Sequence, residues 1–111
     1  VARKRTDAQL EADYQAGLVK RIERMFPGCF VRKPDIQQGW PDLLIIFENK
    51  WAMLEVKPYA GAAQQPNQDI WVAHFDNMSF AAFIYPENEE EVLHDLQQAF
   101  CPSRQSRVPV G

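Results

Sequence analysis

Two apolar segments separated by three polar residues constrain this chain more than anything else in it. Pro41-Asp42-Leu43-Leu44-Ile45-Ile46-Phe47 and Trp51-Ala52-Met53-Leu54-Glu55-Val56-Lys57 flank Glu48-Asn49-Lys50. Each apolar run has the length of a buried strand, and the polar break between them reads as a turn, so the pair predicts a β-hairpin. Charges interrupt it. Asp42 enters the first strand behind a proline, and Glu55 and Lys57 stand two residues apart in the second. Strand side chains alternate between faces, so Glu55 and Lys57 project from the same one. A solvated outer sheet face would account for Glu-x-Lys, and ordinary turn chemistry for Pro-Asp.

Around the hairpin the pattern alternates between helix and strand. Leu10, Tyr14, Leu18, Ile22, Met25 and Phe26 form a helical stripe from Thr6 to about Phe26. Thr6 or Asp7 can cap its start, and Pro27-Gly28 stops it. Cys29 to Arg32 is a short strand closed by Pro34. Residues 58–66 form a loop ending in Pro66, a residue suited to a helix's first turn. Asn67 to about Phe75 is a helix and Ser79 to Tyr85 a strand. Pro86 to Phe100 is a helix with an acidic start and an apolar side of Val92, Leu93, Leu96, Ala99 and Phe100. The order helix-strand-strand-strand-helix-strand-helix predicts an α/β or α+β fold, a mixed four-stranded sheet flanked by helices.

The 111 residues amount to one domain, and a hydrophobic content of 46% can fill one core. We divide the chain into a basic arm (1–6), a domain (7–100) and a flexible tail (101–111). No apolar run reaches the length of a membrane span, and none follows the basic start as a secretion signal would, so a cytoplasmic protein is expected. Cys29 and Cys101 fit reduced thiols better than a disulfide scaffold. Charge is uneven: residues 1–33 carry +4 and residues 34–111 carry −7. A basic first third can serve a polyanion even in a mildly acidic chain.

Pro41-Asp42 followed by Glu55-Val56-Lys57 resembles the PD-(D/E)XK nuclease superfamily. With Gly39 before the Pro-Asp pair and Gln68 after the Glu-x-Lys strand, the order looks most like the small stand-alone VRR-NUC branch found in phages and linked to Holliday-junction resolution. The resemblance spans about residues 7–100 and implies a restriction-endonuclease-like core. It also implies a metal-dependent DNA endonuclease selective for Holliday-junction or branched DNA. Asp42 and Glu55 would bind Mg²⁺, with Mn²⁺ able to substitute, since hard carboxylate oxygens suit that ion. Lys57 would orient and activate water, and Gln68 would position the lysine or the phosphate. Symmetric cutting of a junction needs two sites, so that substrate implies a homodimer.

Helical geometry adds to this. Glu11 falls within the apolar arc of the first helix, where an acid is costly unless something receives it. The family commonly supplies a metal-site carboxylate from this helix, which makes Glu11 a candidate ligand, although an acid at a helix start also favours the dipole. Gln68 shares a face with Trp71, Val72 and Phe75, and a buried amide there needs partners. For DNA, Arg32 and Lys33 are candidate phosphate contacts, Arg3, Lys4 and Arg5 a candidate arm, and Trp40 a candidate stacking residue. Trp51, Trp71 and Cys29 are expected in the core, and His74 and His94 are expected to be structural. The alternatives are a nuclease of this superfamily acting on ordinary duplex or flap DNA, and a catalytically silent nucleic-acid-binding module of the same fold.

Overall fold

A computed structural model describes residues 4–102. Arg3, Arg104, Arg107 and most of the expected C-terminal tail lie outside the described residues. The elements are α1 (Asp7–Met25), β1 (Phe30–Arg32), β2 (Leu43–Phe47), β3 (Lys50–Val56), α2 (Gln68–Met78), β4 (Phe80–Ile84) and α3 (Glu89–Phe100). This is the element order expected from the sequence, and it forms an α+β fold. No described helix is long and apolar enough to cross a membrane.

Local chemistry sets the boundaries. Thr6 takes the cap of α1: its hydroxyl accepts from the Gln9 N–H at 3.2 Å, and the Gln9 side chain accepts from the Thr6 N–H at 2.8 Å, a reciprocal capping box. Gly28, at φ +89°, turns the chain away beyond Phe26, a conformation that costs glycine least. The hairpin turn is one residue tighter than expected. Phe47 pairs with Lys50, which leaves Glu48 and Asn49 to reverse the chain, with Glu48 at φ 57°. Pro66 stands before the cap of α2 and not in its first turn; Asn67 is the cap, in the left-handed region at φ 70°. Asn88 bonds back to the end of β4, accepting from the Tyr85 N–H at 2.8 Å and donating to the Phe83 carbonyl at 3.0 Å.

The sheet order is β1-β2-β3-β4. β1 with β2 and β2 with β3 run antiparallel, while β3 and β4 run parallel across the α2 crossover. Strand alternation gives the sheet two apolar faces. On one, Leu43, Ile45, Ala52, Leu54, Val56 and Ile84 pack against Leu18, Ile22 and Phe26 of the α1 side and against α3. The rings of Phe26, Phe47 and Phe100 lie 5.2–5.8 Å apart there, within the range of favourable aromatic pairs. On the other, Met53 and Ala81 pack against Val72 and Phe75 of α2, with Trp40, Trp51 and Trp71 partly buried around them. Leu10 departs from the expected stripe and is 37% exposed. The start of α1 is tied instead to the loop after β3, where Asp7 accepts a hydrogen bond from Tyr59 at 2.7 Å, and Leu10 joins neither apolar cluster.

One polar tie joins α1 to α3 across this layer. Glu89 accepts from Arg21 Nε at 2.7 Å, from Arg21 Nη2 at 2.8 Å and from the Tyr14 hydroxyl at 2.8 Å. The Arg21 hydrogen bond, assisted by Tyr14, holds the Glu89 carboxyl below its ordinary 4.5. A carboxylate with a depressed pKa contributes stability above its unfolded value and loses it as pH falls through the folded one. The stability advantage of the wild type over Glu89→Gln should therefore be full at neutral pH and shrink progressively below pH 4.5, as read by urea unfolding; a difference independent of pH would contradict the pairing. Phe26→Ala, at a position 1% exposed, should cost about 3–5 kcal/mol by the same measurement, the usual range for a deleted core ring.

Candidate active site

The register that aligns Leu43 with Leu54 puts Asp42, one residue before β2, across from Glu55. The juxtaposition is fixed further by a hydrogen bond from the Val56 N–H to Asp42 Oδ2 at 2.9 Å. Asp42, Leu44, Met53, Glu55 and Lys57 share the sheet face that carries α2, because Leu43, Leu54 and Val56 alternate onto the other. Charged groups at the end of this face meet a helix, and they are buried: Glu55 is 1% exposed and Lys57 6%. The solvated outer face that would have explained Glu-x-Lys does not occur.

Burial of an ammonium and a carboxylate is expensive unless each is paired and hydrogen-bonded. Gln68, the first residue of α2 and itself buried, supplies the link. Its Nε2 donates to Glu55 Oε2 at 2.8 Å, and its Oε1 accepts from Lys57 Nζ at 2.7 Å and from the Gln65 N–H at 2.8 Å. Lys57 Nζ also donates to the Ala63 carbonyl at 3.2 Å and stands 3.6 Å from Glu55 Oε2. The loop between β3 and α2 is thus folded onto the lysine. It is tied at its far side by the Tyr59–Asp7 bond and by the Ala60 N–H donating to Glu87. The Lys57 N–H donates to the Ile84 carbonyl at 2.9 Å, which anchors the end of β3 to β4.

The carboxyl groups are less well balanced. Glu55 Oε1 is buried with no hydrogen-bond partner. Desolvation, then the charge of Asp42 and, on protonation, a carboxyl–carboxyl hydrogen bond with it, push Glu55 up to about 9, against the opposing pull of Lys57; Glu11 adds to the rise. Glu11, half-buried on the first turns of α1, is raised by desolvation and by Asp42. Three carboxyl groups therefore feel one another, and Lys57 is the cation that acts on both Glu11 and Glu55. A divalent cation fits this donor set. Two carboxylates converge from adjacent strands, one has an orphaned oxygen, and Mg²⁺ commonly binds through one or two carboxylates with water completing its shell. Among the described residues no three His, Cys, Asp or Glu side chains gather into one metal-holding cluster. Asp42 and Glu55 are the pair that could hold an ion, with Glu11 as a charged neighbour.

The remaining candidates separate by position. Lys33 and Trp40 line a cleft that reaches Asp42, together with Gln15 and Asp35. Arg32 is exposed on β1, stacked over the Phe30 ring at 5.3 Å and donating to the Val31 carbonyl at 3.0 Å. Arg5 is ion-paired with Asp13, Lys4 is exposed, and Arg3 lies outside the described residues. Trp51 and Trp71 pack only partly buried around the second core, and Cys29 is partly buried against the first. His74 is exposed on α2 with its ring against Trp71 and Phe75, and His94 is exposed on α3.

Sequence reasoning missed the Ala63 carbonyl and the Gln65 N–H, which are backbone groups carrying no residue-type signal. It also missed Gln15, although that residue stands four positions after Glu11 and therefore on the same helix face. No family model, curated protein or solved structure matches this chain.

The network predicts its own sensitivity. Gln68→Leu conserves approximate size but leaves Lys57 with the Ala63 carbonyl alone and removes the hydrogen-bond partner of Glu55 Oε2, at about 1–3 kcal/mol for a buried polar group left unpaired. Urea unfolding should show a loss of at least about 2 kcal/mol for it, and less than about 0.5 kcal/mol for Gln64→Leu at an exposed loop position. Equal small effects would mean that the buried amide does not hold the two charges.

Proposed function

We propose that this protein is a metal-dependent DNA endonuclease of the PD-(D/E)XK kind, with a restriction-endonuclease-like core and a preference for branched DNA such as four-way junctions. The observation that carries the reading is the buried network of Glu55, Lys57 and Gln68 at the end of β3, with the half-buried Asp42 set opposite Glu55 and held there by the Val56 N–H. Those residues also carry the sequence resemblance.

The geometry supports a role for each side chain. Asp42 and Glu55 would hold a Mg²⁺ or Mn²⁺ ion, which when bound supplies Lewis acidity and charge neutralisation toward the phosphate. An ammonium has three protons to give. Gln68 and Ala63 receive two from Lys57, and the Glu55 oxygen at 3.6 Å is beyond a good hydrogen bond. The third proton is left for a water or a phosphate oxygen beside the carboxylates, where it would orient the attacking water and stabilise charge gathering on the phosphate. Gln68 acts through Lys57 by fixing its direction. Two cuts across a junction need two such centres, so this reading includes a homodimer.

The close satisfaction of Lys57 favours a second reading, a nucleic-acid-binding module in which the cluster is structural. Nicking of supercoiled plasmid and of a synthetic four-way junction in Mg²⁺ separates the two. Wild-type protein should cleave and prefer the junction, and Asp42→Asn should lose cleavage in both. Absence of metal-dependent cleavage by the wild type would leave only the binding module, and equal rates on linear duplex would remove the branched-DNA preference. Lys57→Ala should lower turnover by orders of magnitude with Mn²⁺ affinity retained by calorimetry; unchanged turnover would remove Lys57 from the chemistry.

A further inference from the structure

Beside Asp42 lies a cleft of about 310 Å³ between α1 and the segment running from Lys33 to Asp42. Its walls combine a cation (Lys33), two amides (Gln15, Gln37), an aromatic ring (Trp40) and two carboxylates (Asp35 and, at the end nearest the candidate site, Asp42). Trp40 is held in place from behind, 5.4 Å from the Trp71 ring and edge-on to Phe75 at 5.0 Å. Gly39, at φ +91°, keeps the chain close beneath Trp71: a Cβ there would meet Trp71 Cδ1 at 3.2 Å and the Pro66 carbonyl at 3.3 Å. The cleft wall is therefore built into the second core. A second cleft of the same size continues past Lys33 and Gln15 along α1, over the small side chains of Ala8, Ala12 and Ala16.

We infer that the cleft beside Asp42 receives one unstacked nucleotide of the DNA substrate, with its phosphate on Lys33 and its base against Trp40. The inference rests on the nuclease reading and narrows its substrate. The cleft is at the small end of ligand pockets, which run from roughly 300 to 1,000 Å³. A single nucleotide unit is on that scale. Lys33 offers a point charge to a phosphate, Gln15 and Gln37 offer donors and acceptors to a base edge, and the indole gives an apolar wall that any base can use. Taking a base out of a duplex costs a few kcal/mol and least where it is already unpaired. The protein should therefore act where a strand is frayed, branched or single. Asp35 and Asp42 line the same cleft and repel a phosphate, which places the phosphate at the Lys33 end.

The test is binding in EDTA, which keeps hydrolysis out of the measurement. Fluorescein-labelled (dT)₄ and a blunt 12-base-pair duplex are titrated by anisotropy against wild type, Lys33→Ala, Asp35→Asn and Lys50→Ala, the last at the hairpin turn away from the cleft. In parallel, (dT)₄ is titrated into ¹⁵N-labelled wild-type protein. The single strand should bind more tightly than the duplex. Lys33→Ala should weaken it about tenfold and Asp35→Asn should tighten it, with Lys50→Ala unchanged. Amide shifts should concentrate at Gln15, Lys33, Gln37 and the Trp40 indole. Tighter duplex binding, equal losses for Lys33→Ala and Lys50→Ala, or shifts centred elsewhere would overturn the inference. Failed Mg²⁺ cleavage with this binding pattern intact sinks the hydrolase reading alone, and intact cleavage without the pattern sinks the cleft alone.

Discussion

The Gln68 amide is the contact on which the interior of this protein turns. It gives a hydrogen to Glu55 and takes one from Lys57, and so allows a carboxylate and an ammonium to lie within the packed face beneath α2. Without it, a buried carboxyl and a buried ammonium would each lose a partner, and an unpaired buried charge ordinarily costs several kcal/mol. The same amide accepts from the Gln65 N–H, so one side chain also fixes how the loop after β3 enters α2. Strand end, loop and helix start are locked by one group.

The surrounding fold serves that junction. The antiparallel register brings Asp42 opposite Glu55, and the crossover carries Gln68 back over the end of β3. The first turns of α1 reach past the core far enough for Glu11 to sense Asp42. Lys57 has two of its three protons engaged, and the carboxylate side is less well matched. Glu55 keeps an orphaned oxygen, and desolvation and its acidic neighbours oppose its ionisation. Glu55 and the half-buried Asp42 oppose each other's ionisation, and a divalent cation held by both would offset the repulsion and the lost solvation. That asymmetry is what a bound cation would relieve under the nuclease proposal.

The fold was legible because its signals were local and mutually consistent. Apolar runs of strand length, a capping Thr6, the Pro27-Gly28 stop and the acidic start of α3 each mark an element without reference to the rest of the chain. Discrepancies arose where tertiary context overrode a local rule. Leu10 continues the stripe of α1 but joins neither apolar cluster, Pro66 falls short of the helix that it suits, and Glu48 takes a left-handed turn that its residue type does not advertise. In the site, Glu55, Lys57 and Gln68 could be placed by period alone, because strand alternation and helical spacing determine which face each takes. The backbone contributions of Ala63 and Gln65 could not, since a loop's path is set by what it packs on. The paired state of Arg5 and the stacking of Arg32 on Phe30 were equally invisible, because a cation's partner is decided in three dimensions.

Anomalous diffraction from a Mn²⁺-soaked crystal addresses the central claim most directly. The account predicts an anomalous peak bridging the Asp42 and Glu55 carboxylates, with Lys57 still bonded to Gln68 and Ala63 and no peak in Asp42→Asn crystals. No anomalous peak beside the two carboxyl groups at saturating Mn²⁺ would contradict it.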